Sequence, residues 1–314
     1  MLKNLLDTKH CFKLVCGAGN EEVEDIKRLV YIYAIAGCRF FDLSANEQVI
    51  SVAKEALNLA RVEDAYLCVS VGIKNDPHVN KAIIDYDRCV NCGACEAVCP
   101  QSAIHYAKVK KTKCIGCGRC WRVCSRAAIS YVSEEKDLKE VLPSIIEKGI
   151  DCIEFHAMGI DEEEINSKWQ YINDNFDGIL SICTSRGKLS DEGLVDRIKD
   201  MINGRKPYTT IVQADGFPMS GGDDDYKSTL QAVATAEIVQ NEKLPVYIML
   251  SGGTNEKTAE LAKMCGILYD GIAVGSYARK IVKRFIDRSD FWSNSRVIED
   301  ALEVAKPLVD SVII

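Results

Sequence analysis

The chain has 314 residues, 47% of them hydrophobic, and a net charge of −7 at pH 7. This apolar content excludes a disordered chain, and the negative charge argues against a general nucleic-acid binder or an anionic-membrane protein, because both need clustered positive charge. No apolar run reaches the roughly 20 residues that cross a bilayer. Since the start of the chain also lacks the apolar core of a signal peptide, we expect a cytoplasmic protein without a membrane span.

Outside one cysteine-rich segment, short apolar strands alternate with amphipathic helices along the chain. In chain order, the predicted strands span residues 12–16, 39–44, 66–71, 152–157, 178–183, 209–214, 246–250 and 271–275. Segments with apolar residues at helical spacing lie at 21–36, 47–60, 138–148, 189–201 and 226–240. Eight strands that alternate with helices predict an α/β fold, a (β/α)8 TIM-like barrel. A doubly wound open sheet is the alternative, because it uses the same units.

The cysteine-rich segment follows the third predicted strand. It holds eight of the chain's 15 cysteines and replaces an ordinary loop. We therefore predict a barrel in two parts, residues 1–79 and 133–314, with a ferredoxin-like domain inserted at residues 80–132. Because active sites of such barrels lie at the carboxyl ends of the strands, the insert is expected at that end. The other seven cysteines have apolar neighbours and are interpreted as small buried hydrophobes.

Within this segment, four cysteines recur after 25 residues with the spacing C-x2-C-x2-C-x3-C. The spacing is that of bacterial ferredoxins with two [4Fe-4S] clusters, in which the fourth cysteine of each run binds the other cluster. A structural zinc site fits less well, since such a site needs only four ligands. The predicted ligands are Cys89, Cys92, Cys95 and Cys124 for one cluster, and Cys114, Cys117, Cys120 and Cys99 for the other.

The same segment is basic. Residues 80–131 contain nine lysine or arginine residues and three acidic residues. One interpretation is compensation of the clusters, each of which brings about −2 together with its four thiolates. The other is a docking face for an acidic electron carrier such as ferredoxin or flavodoxin. The sequence leaves both open.

Two glycine-rich loops follow the seventh and eighth predicted strands. Barrels commonly hold a phosphate at these loops, where backbone N–H groups and a helix N-terminus face the anion. The predicted binding residues are Ser251, Gly252, Gly253, Thr254, Gly275, Ser276, Gln213 and Arg279. The phosphate could belong to FMN, which would lie beside the clusters, or to a phosphorylated substrate. Tight turns without a ligand are the structural alternative.

Further polar residues stand near the predicted strand ends. Glu154 and His156 are two residues apart on one strand, so their side chains share a face and can transfer a proton or orient a ligand. Together with Asp215 they are the predicted catalytic residues. Lys13 lies inside the first strand, and we interpret it as a side chain whose amine reaches solvent. The glycine-rich loop 215–225 predicts a lid, a helix entrance, or both.

This combination of motifs resembles the light-dependent period type of iron–sulfur protein. The resemblance extends from end to end and is carried by FKLVCGAGNEEVEDIKRLVYIYAIAGC at 12–38, the doubled cysteine run, DGFPMSGG at 215–222, SGGTN at 251–255 and GIAVGSYARK at 271–280. That family carries two iron–sulfur clusters and, in photosynthetic bacteria, relays the cellular redox state to the circadian clock. The resemblance therefore implies two clusters and a redox role.

Two functions are consistent with these features. In the first, the chain transfers electrons or senses redox state through its clusters. In the second, it is a ferredoxin-linked oxidoreductase that uses FMN or a phosphorylated substrate on the barrel. No G-x-G-x-x-G follows a strand, so a Rossmann nicotinamide site is not indicated. The sequence leaves the choice between enzyme and sensor open, and it does not indicate an oligomeric state.

Overall fold

Eight parallel strands close into a barrel. The computed structural model describes residues 1–17, 19–73, 79–134, 137–187, 189–216 and 225–313. The described ranges contain these eight strands and four further ones that lie outside the barrel. In chain order they are β1 (Cys11–Val15), β2 (Phe40–Ser44), β3 (Tyr66–Gly72), β4 (Asn80–Ile84), β5 (Ile104–His105), β6 (Lys108–Val109), β7 (Ile129–Ser133), β8 (Cys152–His156), β9 (Ile179–Ser185), β10 (Thr210–Asp215), β11 (Tyr247–Ser251) and β12 (Gly271–Val274). The barrel order is β1-β2-β3-β8-β9-β10-β11-β12, and β12 pairs with β1. The predicted barrel is confirmed, and the open-sheet alternative is wrong.

Most helices cover the outside of the barrel, one closes its lower end, and two short ones belong to the insert. The helices are α1 (Leu2–Asp7), α2 (Val23–Ile35), α3 (Glu47–Leu59), α4 (Ala94–Ala97), α5 (Arg119–Val123), α6 (Leu138–Glu147), α7 (Glu162–Asn175), α8 (Asp191–Ile202), α9 (Asp225–Asn241), α10 (Thr258–Met264), α11 (Ser276–Ile286) and α12 (Ser295–Ile313). Several begin at side-chain caps. Asn46 accepts from the Gln48 N–H before α3, and Ser190 accepts from the Gly193 N–H before α8. No helix in the described ranges is long and apolar enough to cross a membrane.

The lower end of the barrel interior is apolar and closed by α1. Leu2 and Leu6 of this helix pack with Phe40 and Met249, which point inward from the strands. The Tyr247 hydroxyl, in the same layer, donates to the Asp7 carboxylate at 2.5 Å. Because this end is filled and capped, the space for a ligand lies at the other end, above the carboxyl ends of the strands.

The cysteine-rich insert leaves the barrel after β3 and returns before α6 and β8. Its outer strands β4 and β7 pair antiparallel, and the short strands β5 and β6 form a hairpin between the two cysteine runs. A small separate core holds the insert together, and Ala82, Ala103, Ile104 and Ile129 are its buried apolar members. The insert is therefore a packed unit with its own core.

Ion pairs and hydrogen bonds connect the insert to α2 of the barrel. Lys110 lies 2.7 Å from the Glu22 carboxylate, and Lys113 lies 2.9 Å from Asp25. The Glu21 N–H donates to the Thr112 carbonyl at 2.8 Å. Some of the lysines that make the insert basic therefore pair with acidic residues of the barrel. These charges connect the insert to the barrel, a role distinct from cluster compensation and from docking of a carrier.

Candidate functional site

Two cavities in the insert are each lined by four cysteine side chains. We call them the first and second cysteine cavities. The first is lined by Cys89, Cys92, Cys95 and Cys124, and the second by Cys99, Cys114, Cys117 and Cys120. Each cavity takes three cysteines from one run and the fourth from the other, which is the grouping that the repeated spacing predicts. All eight cysteines are free of disulfide bonds.

The hydrogen bonds of the insert repeat in the same way as its sequence. The Ala103 N–H donates to Cys99 Sγ at 3.2 Å, and 25 residues later the Ala128 N–H donates to Cys124 Sγ at 3.3 Å. Four sulfurs in one cavity, with backbone N–H groups directed at sulfur, are the environment that a [4Fe-4S] cluster requires. The residues present therefore fit two such clusters.

Equivalent glycines begin the two short helices beside the cysteines. Gly93 precedes α4 with φ 76°, and Gly118 precedes α5 with φ 80°. Side chains other than glycine are strained in this left-handed region. The sequence repeat is thus also a repeat of backbone conformation.

The two cysteine cavities differ in their surroundings. Cys92 of the first is exposed, whereas Cys114 and Cys120 of the second are buried. Gln101 and Arg119 line the second cavity and also line a larger cavity above the barrel. The first cysteine cavity therefore faces solvent, and the second adjoins the barrel.

This larger cavity, which we call the barrel mouth, has a volume of about 470 Å³. Its position is the one at which (β/α)8 barrels place their active sites. All the barrel residues predicted from the sequence as catalytic or binding line it, namely Glu154, His156, Asp215, Gln213, Ser251, Gly252, Gly253, Thr254, Gly275, Ser276 and Arg279. These residues lie far apart along the chain, and the closed barrel brings them together.

One wall of the barrel mouth combines glycine loops with positive charge. Gly252 and Gly253 have φ 73° and 79°, and a Cβ on Gly253 would lie 2.1 Å from Ser228 Cβ, so glycine is required there. The N-terminus of α11 follows Gly275 at the same wall. The cationic side chains of this wall are Arg279, Lys280 and Lys283. The wall can bind an anion such as a phosphate.

The floor of the barrel mouth is a buried network around Lys13, which is 0% exposed. Its Nζ donates to Glu154 and to Gln213 Oε1, and lies 3.4 Å from an Asp42 oxygen. Burial alone lowers the pKa of Lys13, but the charges of Asp42 and Glu154 hold that pKa well above its ordinary value. Lys13 is thus a fixed cation, and the interpretation of its amine as solvent-exposed is wrong.

Two carboxyls near Lys13 have opposite pKa shifts. Burial raises the pKa of Glu154, but Lys13 and His156 outweigh it and lower that pKa to about 2. Burial raises the pKa of Asp42, and the more distant Lys13 does not offset this. Glu154 is therefore the ionised partner of Lys13.

His156, Cys183 and Asp215 lie next to this pair. His156 Nε2 is 3.4 Å from Glu154 Oε1, and Cys183 is the register partner of His156 on the neighbouring strand. Cys183 Sγ lies 3.7 Å from Asp215 Oδ2. Burial and the charge of Glu154 raise the pKa of Asp215 to about 7. The floor thus collects an imidazole, a thiol and carboxyls that differ in protonation.

Some predictions fall outside the barrel mouth. The predicted lid at 215–225 lies largely in residues 217–224, which are outside the described ranges, so it stays a prediction. Cys265, expected to be buried, is exposed. Conversely, Cys183 was expected only to be buried, and its inward position beside His156 is a register that the sequence alone does not reveal.

The fold and the two cysteine cavities define an iron–sulfur protein built on a (β/α)8 barrel. Residues 82–105 and 107–130 each match the 4Fe-4S binding domain, and residues 144–311 match the light dependent period A C-terminal domain. The chain is 30% identical over 322 residues to light dependent period A of Synechococcus elongatus, with 98% of this chain and 90% of that protein covered. The chain belongs to the light dependent period A family, as the sequence motifs predicted.

Solved structures are similar in fold at low identity. The YdjI aldolase of Escherichia coli K12 is 7% identical with a TM-score of 0.50, covering 100% of this chain and 94% of that one. The alpha subunit of tryptophan synthase from Legionella pneumophila is 9% identical with a TM-score of 0.50, covering 99% and 97%. At this identity the similarity shows the barrel fold alone.

Proposed function

We propose that this chain transfers electrons between its [4Fe-4S] clusters and a phosphate-bearing molecule bound in the barrel mouth. The observation that carries the proposal is that Gln101 and Arg119 line both the second cysteine cavity and the barrel mouth. These residues are neighbours in sequence of Cys99 and Cys120, which are proposed ligands. A molecule in the barrel mouth would therefore lie against the backbone that holds the second cluster.

The cysteines would hold the clusters in the crossed arrangement described above. When bound, such clusters supply one-electron transfer. The exposed position of Cys92 puts the first cysteine cavity within reach of an external electron carrier, and the arginines Arg88, Arg122 and Arg126 of the insert favour an acidic one. Ferredoxin and flavodoxin are acidic electron carriers of this kind. In the proposed direction, electrons enter at the first cysteine cavity and leave at the second.

The barrel mouth would orient its ligand by charge. The glycine loops, the N-terminus of α11 and the cationic wall would bind the phosphate. The opposite part of the ligand would then lie over the floor, within reach of His156 and Asp215, which can donate or accept a proton. Lys13 and Gln213 would hold Glu154 in place through the hydrogen bonds that they donate to it.

The phosphate could belong to FMN or to a phosphorylated substrate. Both chemistries use the same wall of the barrel mouth. An FMN would make the chain a flavin-dependent oxidoreductase, whereas a substrate would receive or supply electrons directly. A binding experiment with each compound class separates these two forms of the proposal.

The proposal can be tested by electron paramagnetic resonance on reduced, anaerobic protein. Cys92→Ser should retain only the second cluster, and Cys117→Ser should retain only the first. Adding FMN or a panel of sugar phosphates should change the spectrum of the wild type and of Cys92→Ser, because the second cluster adjoins the ligand. The spectrum of Cys117→Ser should not change. A response in Cys117→Ser alone, or none with any compound, would contradict the proposal.

The cationic wall offers a matched pair of variants for the same assay. Lys280→Met and Lys283→Met remove charges that line the barrel mouth and should weaken binding of the active compound about tenfold or less, since both amines are partly solvated. Arg284→Met removes an exposed charge of the same helix that does not line the barrel mouth. The affinity of the Arg284→Met variant for the active compound should equal that of the wild type.

Redox sensing is the second candidate function, and a different observation favours it. Four large side chains of the insert are more than half exposed, namely Tyr86, Val90, Tyr106 and Trp121. Exposed apolar groups close to proposed cluster ligands suit a partner surface that responds to the oxidation state. Hydrogen exchange of oxidised and reduced protein without ligand would test this. A sensor should show changed exchange in these segments, whereas equal exchange in both states contradicts sensing.

A further inference from the structure

We infer that the floor of the barrel mouth binds one zinc ion through Glu154, His156 and Cys183. One donor atom of each residue lies within 4.8 Å of the donor atoms of the other two, and all three residues are buried. Imidazole nitrogen, thiolate sulfur and carboxylate oxygen are the three donor types that Zn²⁺ takes in proteins. This inference does not depend on the proposed electron transfer; a zinc ion on His156 would leave Asp215 as the group that donates or accepts a proton.

The barrel register explains why the three donors meet. Glu154 and His156 are alternate residues of β8, so both side chains point into the barrel. On β9, Cys183 stands directly beside His156. All three also line the barrel mouth, so an ion could reach them from solvent.

The hydrogen bonds of the floor orient the Glu154 carboxylate beside the other two donors. Lys13 donates to Glu154 Oε2, while Oε1 faces His156 at 3.4 Å. Gln213 Nε2 donates to the same Oε1 at 2.8 Å and occupies one of its two lone pairs. Lys13 and Gln213 would therefore orient the Glu154 carboxylate as outer partners of the site, the usual arrangement around a protein metal.

The surroundings of Asp215 are a second, independent observation in favour of the zinc site. Its Oδ1 is buried and accepts no hydrogen bond from any residue within the described ranges. Its Oδ2 lies 3.7 Å from Cys183 Sγ. A buried carboxylate oxygen without a donor is unfavourable in a protein interior. A zinc-bound water or ligand hydroxyl would supply that donor.

The carboxyl groups of the floor also suit a cation. Asp42, Glu154 and Asp215 all line the barrel mouth, and Lys13 pairs with the first two of them. Three protein ligands leave the fourth position of a tetrahedral zinc site open toward the barrel mouth. The ligand expected there is an oxygen group, such as a carbonyl or carboxylate, of the molecule that the barrel mouth holds.

Metal analysis of the full-length, anaerobically purified protein tests the site. After equilibration with one equivalent of Zn²⁺ and desalting, the wild type should hold about one zinc in addition to its iron. His156→Gln and Cys183→Ser should lower the zinc content at least tenfold and leave the iron content unchanged. Cys152→Ser is the matched control, because Cys152 faces the interior from the same strand as His156 but belongs to the apolar lower layer. It should keep its zinc.

Zinc K-edge X-ray absorption separates this site from zinc on the cluster cysteines. The expected spectrum has one sulfur at about 2.3 Å and nitrogen or oxygen neighbours at about 2.0–2.1 Å. Four sulfurs would overturn the inference, as would wild-type protein with full iron and no zinc, or zinc retained in both variants. If a variant loses iron and fails to fold, the wild-type spectrum alone decides.

Discussion

Lys13 is the residue on which the floor of the barrel mouth depends most. It is fully buried among strands, and its ammonium is the nearest cation to Glu154. A buried charge that loses its partner is strongly destabilising, whereas removal of both partners costs much less. The ion pair therefore makes a quantitative prediction about stability.

Lys13→Met should lower the free energy of unfolding by about 3–5 kcal/mol, because Glu154 would remain buried without a cation. Anaerobic denaturant titration measures this change. Lys199→Met is the control: Lys199 pairs with Glu242 at 2.7 Å on the surface, and such pairs contribute only about 0–1 kcal/mol. The double variant Lys13→Met/Glu154→Gln should recover part of the loss. Equal effects of Lys13→Met and Lys199→Met would contradict a structural role for the buried pair.

For single residues, the sequence predicted which side chains belong to the site better than it predicted the partners of those side chains. Glu154 and His156 could be selected because they are polar residues at alternate positions of one strand. Lys13 was misinterpreted because a lysine in an apolar strand is compatible with either a solvent-reaching or a paired amine. The choice depends on Asp42 and Glu154, which lie on other strands.

Among the elements, the connection between the insert and α2 joins the barrel to the segment that precedes Cys114, a residue of the second cysteine cavity. Glu22 accepts from Thr112 at 2.9 Å and pairs with Lys110. Burial raises the pKa of Glu22, but the hydrogen bonds from Lys110 and Thr112 outweigh it and hold that pKa below its ordinary value. A carboxyl of this kind stabilises the connection while it is ionised.

The lowered pKa of Glu22 determines how the stability of this connection depends on pH. The contribution of Glu22 should be constant from pH 8 to about pH 5.5, and it should be lost as the pH falls through the ordinary glutamate pKa of about 4.3 and below. Glu22→Gln should therefore increase hydrogen exchange of the Glu21 amide about twofold at pH 7, and the ratio of the two rates should approach one in acid. Glu55→Gln, which removes a surface partner of Lys27, is the control.

A ratio that is constant down to pH 4, or one that changes between pH 6 and 8, would contradict this assignment. Because the ratio compares two proteins at the same pH, the intrinsic pH dependence of exchange cancels. The measurement uses the full chain with its clusters.

The elements themselves were predicted with unequal success. Barrel strands were found to within two residues because they are buried on both faces and read as apolar runs. The predicted helical segments did not include α1, α7, α10 and α12, nor the short insert helices α4 and α5. Only Ile165, Trp169 and Ile172 of α7 are buried, so its apolar pattern is sparse. Beyond α11 the chain continues into α12, which contains Pro307.

For the whole molecule, the crossed arrangement of the cysteine runs makes a prediction that iron content can check. Cys99 and Cys117 line the same cavity, whereas Cys124 and Cys117 line different ones. Cys99→Ser/Cys117→Ser should therefore keep about four irons, those of the first cluster, and Cys124→Ser/Cys117→Ser should keep almost none. Single variants serve as controls and should each keep about four. If each run held its own cluster, the two double variants would give the reverse result.

The amino-acid sequence by itself determined the barrel class, the insert after the third strand and the cysteine spacing of two clusters. These properties depend on local pattern, namely apolar runs, helical periodicity and the short reach between neighbouring ligands. Only the tertiary structure decided that the second cysteine cavity adjoins the barrel mouth, and that Lys13, Glu154 and Cys183 share its floor. The reason is that strand register and closure of the barrel bring together residues separated by more than a hundred positions, and no local pattern records those distances.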